Sequence, residues 1–383
     1  MKRSTDRILT THTGSLPRPD DLVQLMWAKE DGRPFDAAVL DRRISDAVRE
    51  VVVQQSRTGL DIIDDGEVSK PSYSTYVKDR LSGFEGPSIS GFPNTDMRDY
   101  PGYASRNSRE PSHARANMPS CNGPITVKDP QAVQHDIANL KQALDGVAHE
   151  DVFMTAVSPG QIARFQQNQY YPSHEAYIWA LAETMRPEYR AIVDAGFVLQ
   201  LDCPDIASGR TSQFADCSLE EFRKIATLHV EALNWATAEI DPDKMRMHLC
   251  WGNYPGPHTR DIPLSDIIDI ALSARPAAIL FEGANPRHAH EWSLWETNKL
   301  PQGKVLVPGV IDSCTNYVEH PELVAQRIVQ CAKLVGRENV IAGVDCGFGT
   351  FVGSATVDPE IAWVKLGSLV EGAKLASRKL WQH

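Results

Sequence analysis

The chain has 383 residues, of which 42% are hydrophobic and 23% are charged, and its formal net charge at pH 7 is -11. This composition is ordinary for a globular protein, and the length suits one elaborated barrel domain. The negative charge argues against a nucleic acid or an anionic membrane as the partner.

The sequence carries no sign of membrane insertion or export. No apolar run approaches the roughly 20 residues that span a bilayer. The basic start of the chain is not followed by the apolar segment of a signal peptide. The seven cysteines are an odd number without a framework, which favours free thiols in a reducing compartment. We therefore expect a cytoplasmic protein.

Eight short apolar runs alternate with amphipathic segments. Strands are predicted near residues 8–13, 60–63, 151–156, 197–201, 245–250, 278–282, 304–308 and 339–344. Helices are predicted at residues 22–29, 37–57, 130–144, 174–195, 218–240, 264–273, 321–335 and 361–378. Such alternation indicates an α/β fold with a parallel sheet. Eight units favour a closed (β/α)₈ TIM barrel over an open doubly wound sheet. The absence of a G-x-G-x-x-G motif also argues against dinucleotide binding.

One segment departs from this alternation. Residues 84–120 are rich in Gly, Pro, Ser, Asn and Arg and have little periodicity. A loop of this length is uncommon in a compact domain and is usually functional or partly disordered. We expect a single barrel domain over residues 1–383, with this insertion covering one end of it. A further short strand is expected at residues 121–129.

The run Met245–Trp251, MRMHLCW, contains a candidate pair of metal ligands. Side chains at positions i and i+2 of a strand point to the same face, so His248 and Cys250 project together. Imidazole nitrogen and cysteine sulfur are ligands of Zn²⁺. Taken alone, the pair is explained better by a buried thiol and a hydrogen-bonded imidazole. However, Glu282 and Cys346 close two later predicted strands, and three strand ends with possible ligands favour a metal site.

The barrel prediction places other polar residues at the same end. Active sites of such barrels lie at the C-terminal ends of the strands. All the candidates fall at or just after predicted strand ends: Ser15, Glu67, Asp202, His248, Cys250, Glu282 and Cys346. Polar residues also cluster where strands leave a core, which explains Glu67 and Asp202 but explains a histidine and two cysteines poorly. The turn at Gly14 and Ser15 offers backbone N–H groups for a carboxylate, or is a plain strand exit.

Several motifs together resemble a known family. THTGSLPRP, GLDIIDDGE, LQLDCPD, MHLCWGN, FEGAN, PGVID and VDCGFGT occur in this order between residue 11 and about residue 350. The ordered set resembles the catalytic C-terminal barrel of cobalamin-independent methionine synthase, although each motif alone is weak. The family's separate N-terminal barrel has no counterpart here, which implies a stand-alone core form. The resemblance implies a methyltransferase that converts homocysteine to methionine.

The resemblance also implies roles for individual residues. It makes His248, Cys250, Glu282 and Cys346 the zinc ligands. It places the amino-acid end of homocysteine against Gly14, Ser15, Glu67 and Asp202. A zinc-bound thiol loses its proton and becomes the nucleophile. We expect Glu282 to be the exchangeable ligand, since a carboxylate oxygen is the hardest of the four donors.

The loop after the seventh predicted strand departs from the family pattern. The family has a histidine two residues after the aspartate, which protonates the folate leaving group. In this chain Asp312 is followed by Cys314 at that position, and His320 lies too far along to replace it. Because a thiol is a weaker acid than imidazolium, we expect free methyltetrahydrofolate to be a poor donor.

Other readings of the same residues stay open. The alkyl donor is a folate, a corrinoid or an epoxide. The chain is also similar to epoxyalkane:coenzyme M transferases, whose thiol carries a sulfonate that Arg18 and Lys70 would bind. The carboxylates of Glu67 and Asp202 favour a thiol that carries an ammonium instead. A non-catalytic zinc-stabilised barrel is a third reading, and the four ligand positions argue against a metal-free decarboxylase of the uroporphyrinogen type. Homo-oligomer formation is left open.

Overall fold

A computed structural model describes residues 1–89, 94–107, 118–354 and 356–381 of the chain. Within these ranges, seven strands form one parallel sheet. Their order in the sheet is the same as their order in the chain. They are β1 (Ile62–Ile63), β2 (Asp151–Val157), β3 (Val198–Asp202), β4 (Met245–His248), β5 (Ala278–Phe281), β6 (Val305–Ile311) and β7 (Gly343–Val344).

The N-terminal residues close this sheet into a barrel. Thr10 forms a parallel bridge with Ala342, just before β7, and Thr11 forms one with Ile62 of β1. The Thr11 N–H donates to the Ala342 carbonyl (2.9 Å), and the Ile62 N–H donates to the Thr10 carbonyl (3.0 Å). The segment therefore acts as the eighth strand, and the predicted (β/α)₈ barrel is confirmed.

A buried arginine ties the barrel interior together near this closure. Arg246 of β4 donates from Nε to Gln200 Oε1 (2.8 Å), from Nη1 to Thr11 Oγ1 (2.9 Å) and from Nη2 to the His12 carbonyl (2.9 Å). Its guanidinium lies 3.4 Å from the centroid of the Phe153 ring. Burial lowers the pKa of Arg246 to about 9. Since a buried charge is tolerated when it is hydrogen-bonded, these contacts fix the N-terminal segment against β3 and β4.

The helices that follow the strands lie outside the barrel. The longer ones are Asp20–Glu30, Ala37–Thr58, Gln131–Ala143, His174–Asp194, Leu219–Ala236, Pro321–Val335 and Pro359–Trp381. Short helices are Val77–Arg80, Thr95–Asp99, Pro101–Asn107, Pro159–Phe165, Asp205–Ser208, Ile268–Ser273 and Leu294–Thr297. Gly59 in the left-handed region ends the second helix, and Ser218 with Glu221 forms the capping box that its spacing predicts. Across the described ranges, none of these helices could span a membrane.

Several local boundaries differ from the prediction. The strand predicted at 245–250 ends at His248, and the last strand is only Gly343–Val344. Residues 121–129 form isolated bridges rather than a strand, because Pro124 has no N–H to offer a ladder. The helix predicted at 264–273 starts as a 3₁₀ turn and is α-helical only from Ile268.

Part of the predicted insertion lies over the C-terminal end of the barrel. Residues 94–107 contain two short helices. Asp96 Oδ2 accepts hydrogen bonds from the Tyr254 hydroxyl (2.6 Å) and the His258 N–H (2.7 Å), and the Tyr103 hydroxyl donates to the Pro255 carbonyl (3.2 Å). These contacts fix the segment to the loop after β4. The remainder of the prediction, at residues 90–93 and 108–117, falls outside the described residues.

Candidate active site and metal centre

A cavity of about 560 Å³ opens at the C-terminal end of the barrel. Side chains from the N-terminal segment and from the loops after β1, β3, β4 and β7 share its wall. Six of the ten predicted site residues line it: Ser15, Glu67, Asp202, His248, Cys250 and Cys346. The strand-end rule thus brings residues far apart in sequence to one place. The other four, Gly14, Glu282, Asp312 and Cys314, are not on the wall.

Three buried side chains with metal-binding atoms meet in this cavity. The ligand atoms of His248, Cys250 and Cys346 all lie within 4.8 Å of one another. The two sulfur atoms are 3.5 Å apart, and both cysteines are free thiols. The Nε2 of His248 is buried and has no hydrogen-bond partner in the described chain.

These residues fit a zinc ion. A buried polar atom without a partner is costly, and a metal ion would give His248 Nε2 one. Two sulfurs bound tetrahedrally to one zinc at about 2.3 Å lie roughly 3.8 Å apart, close to the distance between Cys250 and Cys346. The hydrogen bond to Cys346 and burial hold the pKa of the Cys250 thiol well above its usual range. Ionising both thiols therefore needs a cation beside them.

The imidazole of His248 is oriented by a carboxylate. Its Nδ1 lies 3.5 Å from Asp202 Oδ1, and the same oxygen accepts a hydrogen bond from Gln200 Nε2 (2.8 Å). Carboxylates in this position fix the tautomer and direction of a metal-binding histidine. Asp202 therefore leaves Nε2 of His248 as the nitrogen that is available to a metal ion.

Glu282, the fourth predicted ligand, is not part of the three-residue cluster. Its Oε1 accepts from the Trp251 N–H (2.8 Å), and its Oε2 accepts from Asn285 Nδ2 (2.7 Å) and Arg287 Nη2 (2.8 Å). Asn285 Nδ2 also donates to Asp345 Oδ2 (2.8 Å). Glu282 is thus held by neighbouring donors, and its role as a ligand stays a prediction.

Two carboxylates share the inner part of the cavity. Glu67 is buried, and its Oε2 has no hydrogen-bond partner among the described residues. Burial, and then the negative charge of Asp202, raise the pKa of Glu67 to about 7. Because two buried carboxylates disfavour each other's ionisation, this part of the cavity is suited to a cation.

The turn at Gly14 brings the carboxylate of Glu67 into the cavity. Gly14 has a φ of 134°, and a Cβ there would lie 2.6 Å from Glu67 Oε1 and 2.7 Å from Thr155 Cγ2. Only glycine leaves that space. The Gly14 N–H already donates to His12 Nδ1 (3.2 Å), whereas the Ser15 N–H has no acceptor in the described part of the chain. Of the two amides predicted to hold a carboxylate, only that of Ser15 is therefore available.

The loop after β6 meets the cavity through a residue that the sequence did not single out. Cys314 Sγ donates to Asn253 Oδ1 (3.3 Å), and Asn253 Nδ2 donates to the Gly347 carbonyl (2.8 Å). Asn253 lines the cavity, whereas Cys314 and Asp312 do not. Asp312 accepts from the Cys314 N–H (2.9 Å) and so shapes the loop. The only sequence signal for Asn253 is its place in the WGN that follows Cys250.

Arg18 and Lys70, the two cations expected to bind a sulfonate, donate hydrogen bonds to other groups of the protein instead. Arg18 Nη2 donates to the carbonyls of Glu67 (2.7 Å) and Lys70 (2.8 Å). Lys70 Nζ donates to Thr155 O (2.7 Å) and Oγ1 (2.9 Å). Neither side chain lines the cavity, so this expectation is wrong. A different cation, Arg164, does line it.

The chain folds as a closed (β/α)₈ barrel, and the cluster lies at the C-terminal ends of its strands. This arrangement is that of TIM-barrel enzymes, whose active sites are built from the loops at those strand ends. Residues 8–373 match the model of the family described as cobalamin-independent synthase, catalytic domain. The chain therefore belongs to the cobalamin-independent methionine synthase family.

Individual relatives agree with that membership. The chain is 26% identical over 380 residues to a methionine synthase of Saccharolobus solfataricus, covering 97% of this chain and 95% of the relative. It is 24% identical over 378 residues to a methionine synthase of Thermococcus kodakarensis, covering 97% and 94%. A B12-independent methionine synthase from Shewanella sp. W3-18-1, solved with selenomethionine, has the same fold with a TM-score of 0.75 at 19% identity, covering 98% of this chain and 99% of that one.

Proposed function

We propose that the protein is a zinc-dependent methyltransferase that converts homocysteine to methionine. The family and the curated methionine synthases that match over nearly their whole length support this activity. The observation that carries the proposal is that one cavity holds both a sulfur-activating donor set and the acidic pair Glu67 and Asp202.

The metal would be held by His248, Cys250 and Cys346, with Glu282 as the fourth ligand. Bound zinc would lower the pKa of a substrate thiol, so that the thiolate is available at neutral pH. Asp202 keeps the His248 ring in the direction that this requires. Glu282 is the ligand that we expect to be exchangeable, because its oxygens already accept three hydrogen bonds from other residues.

The chain's own residues would orient the amino acid. Glu67 and Asp202 bind the ammonium, and the Ser15 N–H binds the carboxylate. Charge-assisted hydrogen bonds of this kind each contribute roughly 1.5–3 kcal/mol. They place the sulfur of homocysteine toward the cysteine pair and exclude thiols that have no amine.

A second candidate is an alkyltransferase related to epoxyalkane:coenzyme M transferase, which would use a thiol with a sulfonate and open an epoxide. The observation in its favour is Arg164, a cation on the cavity wall. Against it stands the acidic pair, which would repel a sulfonate near the cysteines. The two candidate functions therefore differ in the substrate thiol: the methyltransferase requires a positive ammonium at the end away from the sulfur, and the epoxide-opening enzyme requires a negative sulfonate there.

Zinc X-ray absorption on the metal-loaded protein tests both candidates. With homocysteine, we expect one additional sulfur in the first coordination shell; with 2-mercaptoethanesulfonate, we expect none. The reverse pattern would favour the epoxide-opening enzyme. An unchanged shell with both thiols would indicate a zinc that only stabilises the barrel and would refute the proposed activity.

A further inference from the structure

A second cavity, of about 340 Å³, lies between the insertion and two of the barrel loops. It is lined by the helix Thr95–Asp99, by the segment that follows β3 and by residues 260–266 of the loop after β4. Among the described residues, none lines both this cavity and the candidate active-site cavity. A ligand in the second cavity would therefore not contact the groups proposed to hold the metal or the thiol.

Thr95 contributes a buried hydroxyl to the wall of the second cavity. The residue is 3% exposed, and its Oγ1 has no hydrogen-bond partner in the described chain. The preceding residue, Asn94, already caps the helix by accepting a hydrogen bond from the Asp96 N–H (2.8 Å). A buried hydroxyl without a partner costs free energy, and a polar ligand in the cavity would provide the missing partner.

Two opposite charges on the wall, Arg210 and Asp266, have no charged partner in the described chain. Arg210 Nη1 donates to the carbonyls of Phe214 (3.3 Å) and Ala215 (2.8 Å). These neutral groups orient the guanidinium and leave its other N–H donors for a ligand. No described group donates a hydrogen bond to the carboxylate of Asp266, and Arg210 and Asp266 form no ion pair with each other. A guanidinium is suited to a carboxylate, and a carboxylate is suited to an ammonium.

The other charged residues of the wall have partners within the protein. Arg260 forms an ion pair with Asp99. Asp261 Oδ2 lies 2.9 Å from His258 Nδ1 and 3.0 Å from His288 Nε2. Among the described residues, the cavity thus presents one unpaired cation and one unpaired anion. This balance favours a ligand that carries both charges over a simple anion or a simple cation.

The remaining wall of the second cavity is mainly apolar, with Ala215, Leu219, Ile262 and Pro263. Its volume is within the range of small-molecule sites. We propose that this cavity binds a free α-amino acid with an aliphatic side chain. Arg210 and the Thr95 hydroxyl bind its carboxylate, Asp266 binds its ammonium, and the apolar residues contact its side chain. The inference does not depend on the proposed reaction, since the two cavities share no described residue.

Titration calorimetry on the metal-loaded protein tests the inference with L-leucine as the probe. Leucine has both charges and an aliphatic side chain, and it has no sulfur to bind the metal. Two analogues each remove one charge: 4-methylpentanoate lacks the ammonium, and 3-methylbutylamine lacks the carboxylate. We expect each analogue to bind about ten- to hundredfold more weakly than leucine, the range for one charge-assisted hydrogen bond. Equal affinity for leucine and either analogue would overturn the inference.

Variants of the three polar residues locate the binding. Arg210→Gln and Asp266→Asn should each weaken leucine binding about ten- to hundredfold. Thr95→Val keeps the shape of the side chain and removes the hydroxyl, so it should weaken binding about two- to tenfold, the range for a neutral hydrogen bond. Because that hydroxyl has no partner in the described chain, Thr95→Val should not lower the Tm. It therefore serves as the test if Arg210→Gln does not fold.

Two control variants separate the second cavity from the candidate active site and from general effects of charge. Glu67→Gln changes the acidic pair and should leave leucine affinity unchanged. Arg190→Gln changes a surface arginine that pairs with Asp194 and Glu239, and it should also have no effect. Loss of leucine binding in Glu67→Gln, with full binding in Arg210→Gln, would place the amino acid in the candidate active site and overturn the inference. Absence of leucine binding to the unmodified protein would overturn it as well.

Discussion

Nδ1 of His248 lies 3.5 Å from Oδ1 of Asp202, so one carboxylate adjoins the candidate metal cluster and also forms the acidic pair with Glu67. Gln200 donates to the same oxygen and holds the carboxylate in place. Binding of the metal and binding of the thiol are therefore expected to share a residue.

Replacing Asp202 with asparagine should weaken both functions. We expect the KM for homocysteine to rise about ten- to hundredfold, because the ammonium loses a charge-assisted hydrogen bond. Zinc affinity should fall by about 10–100-fold, the usual effect of removing the group that orients a metal-binding histidine. Steady-state kinetics and competition with a chelator measure the two effects. Glu67→Gln is the matched control: it should raise the KM and leave zinc affinity unchanged.

The cysteines should contribute more to metal retention than Glu282. Cys250→Ser and Cys346→Ser each remove a thiolate from the cluster, and we expect zinc content to fall substantially in both. Glu282→Gln should retain more zinc, because the carboxylate is held mainly by other donors. Metal analysis after gel filtration provides the measurement, with the buried Cys331→Ser outside the cavity as a control. Full zinc in both cysteine variants would remove the basis for the site.

Glu67 should lower stability in neutral and alkaline solution. Its pKa is about 7 in the folded protein and near 4.5 in the unfolded chain, so the folded state binds more protons between these values. Stability must therefore fall as pH rises from about 4.5 to about 7. Glu67→Gln removes this loss, and we expect its Tm at pH 8 to exceed that of the unmodified protein by about 2–5 °C. At pH 4 the two should differ little.

Calorimetry at both pH values checks this expectation. Glu50→Gln, on the exposed face of the second helix, is the control and should change the Tm little at either pH. A Tm for Glu67→Gln that is lower at pH 8 would show that the carboxylate is stabilised when ionised. The same variant should bind homocysteine less well, so the residue would favour function at the expense of stability.

Local sequence was sufficient to predict the barrel and to predict which residues come together in much of the candidate site. Apolar runs separated by amphipathic helices require a parallel sheet, and the strand-end rule selects His248, Cys250 and Cys346. Strand length was less predictable, since backbone pairing depends on the neighbouring strand. The N-terminal segment, for example, forms its parallel bridges through Thr10 and Thr11 alone among the residues that the structure describes.

Long-range contacts explain what the sequence missed. Arg18 and Lys70 lie beside substrate motifs, but their orientation depends on carbonyls and a threonine that sequence distance does not reveal. The sequence did not single out Arg164, because its orientation depends on hydrogen bonds to Ser208 and Ser212, which lie more than 40 residues later. A side chain's partners decide whether it is available to a ligand, and those partners are set by the fold.

None of the three groups considered as a proton donor to the folate, Cys314, His12 and His320, lines the cavity in the described part of the chain, and this bears on the choice of donor. Burial raises the pKa of the Cys314 thiol, which donates to Asn253 rather than lining the cavity. His12 is no substitute, because burial lowers its pKa to about 3 and its ring contacts Gln55 Oε1 and the Gly14 N–H. His320 caps the helix Pro321–Val335. Neither histidine is placed to protonate a leaving group in the cavity.

We therefore expect free methyltetrahydrofolate to be a poor methyl donor. Transfer from N5 leaves an amine anion unless a proton is delivered, and a positioned general acid contributes about 10²–10⁴-fold. A methylated corrinoid needs no such proton, since its metal centre keeps the electron pair. Homocysteine methylation should thus be faster with methylcobalamin than with methyltetrahydrofolate. Cys314→His should increase the kcat with the folate, because imidazolium is a stronger acid than a thiol at neutral pH, and Cys314→Ser is the control. Fast turnover of the folate by the unmodified protein would contradict the argument.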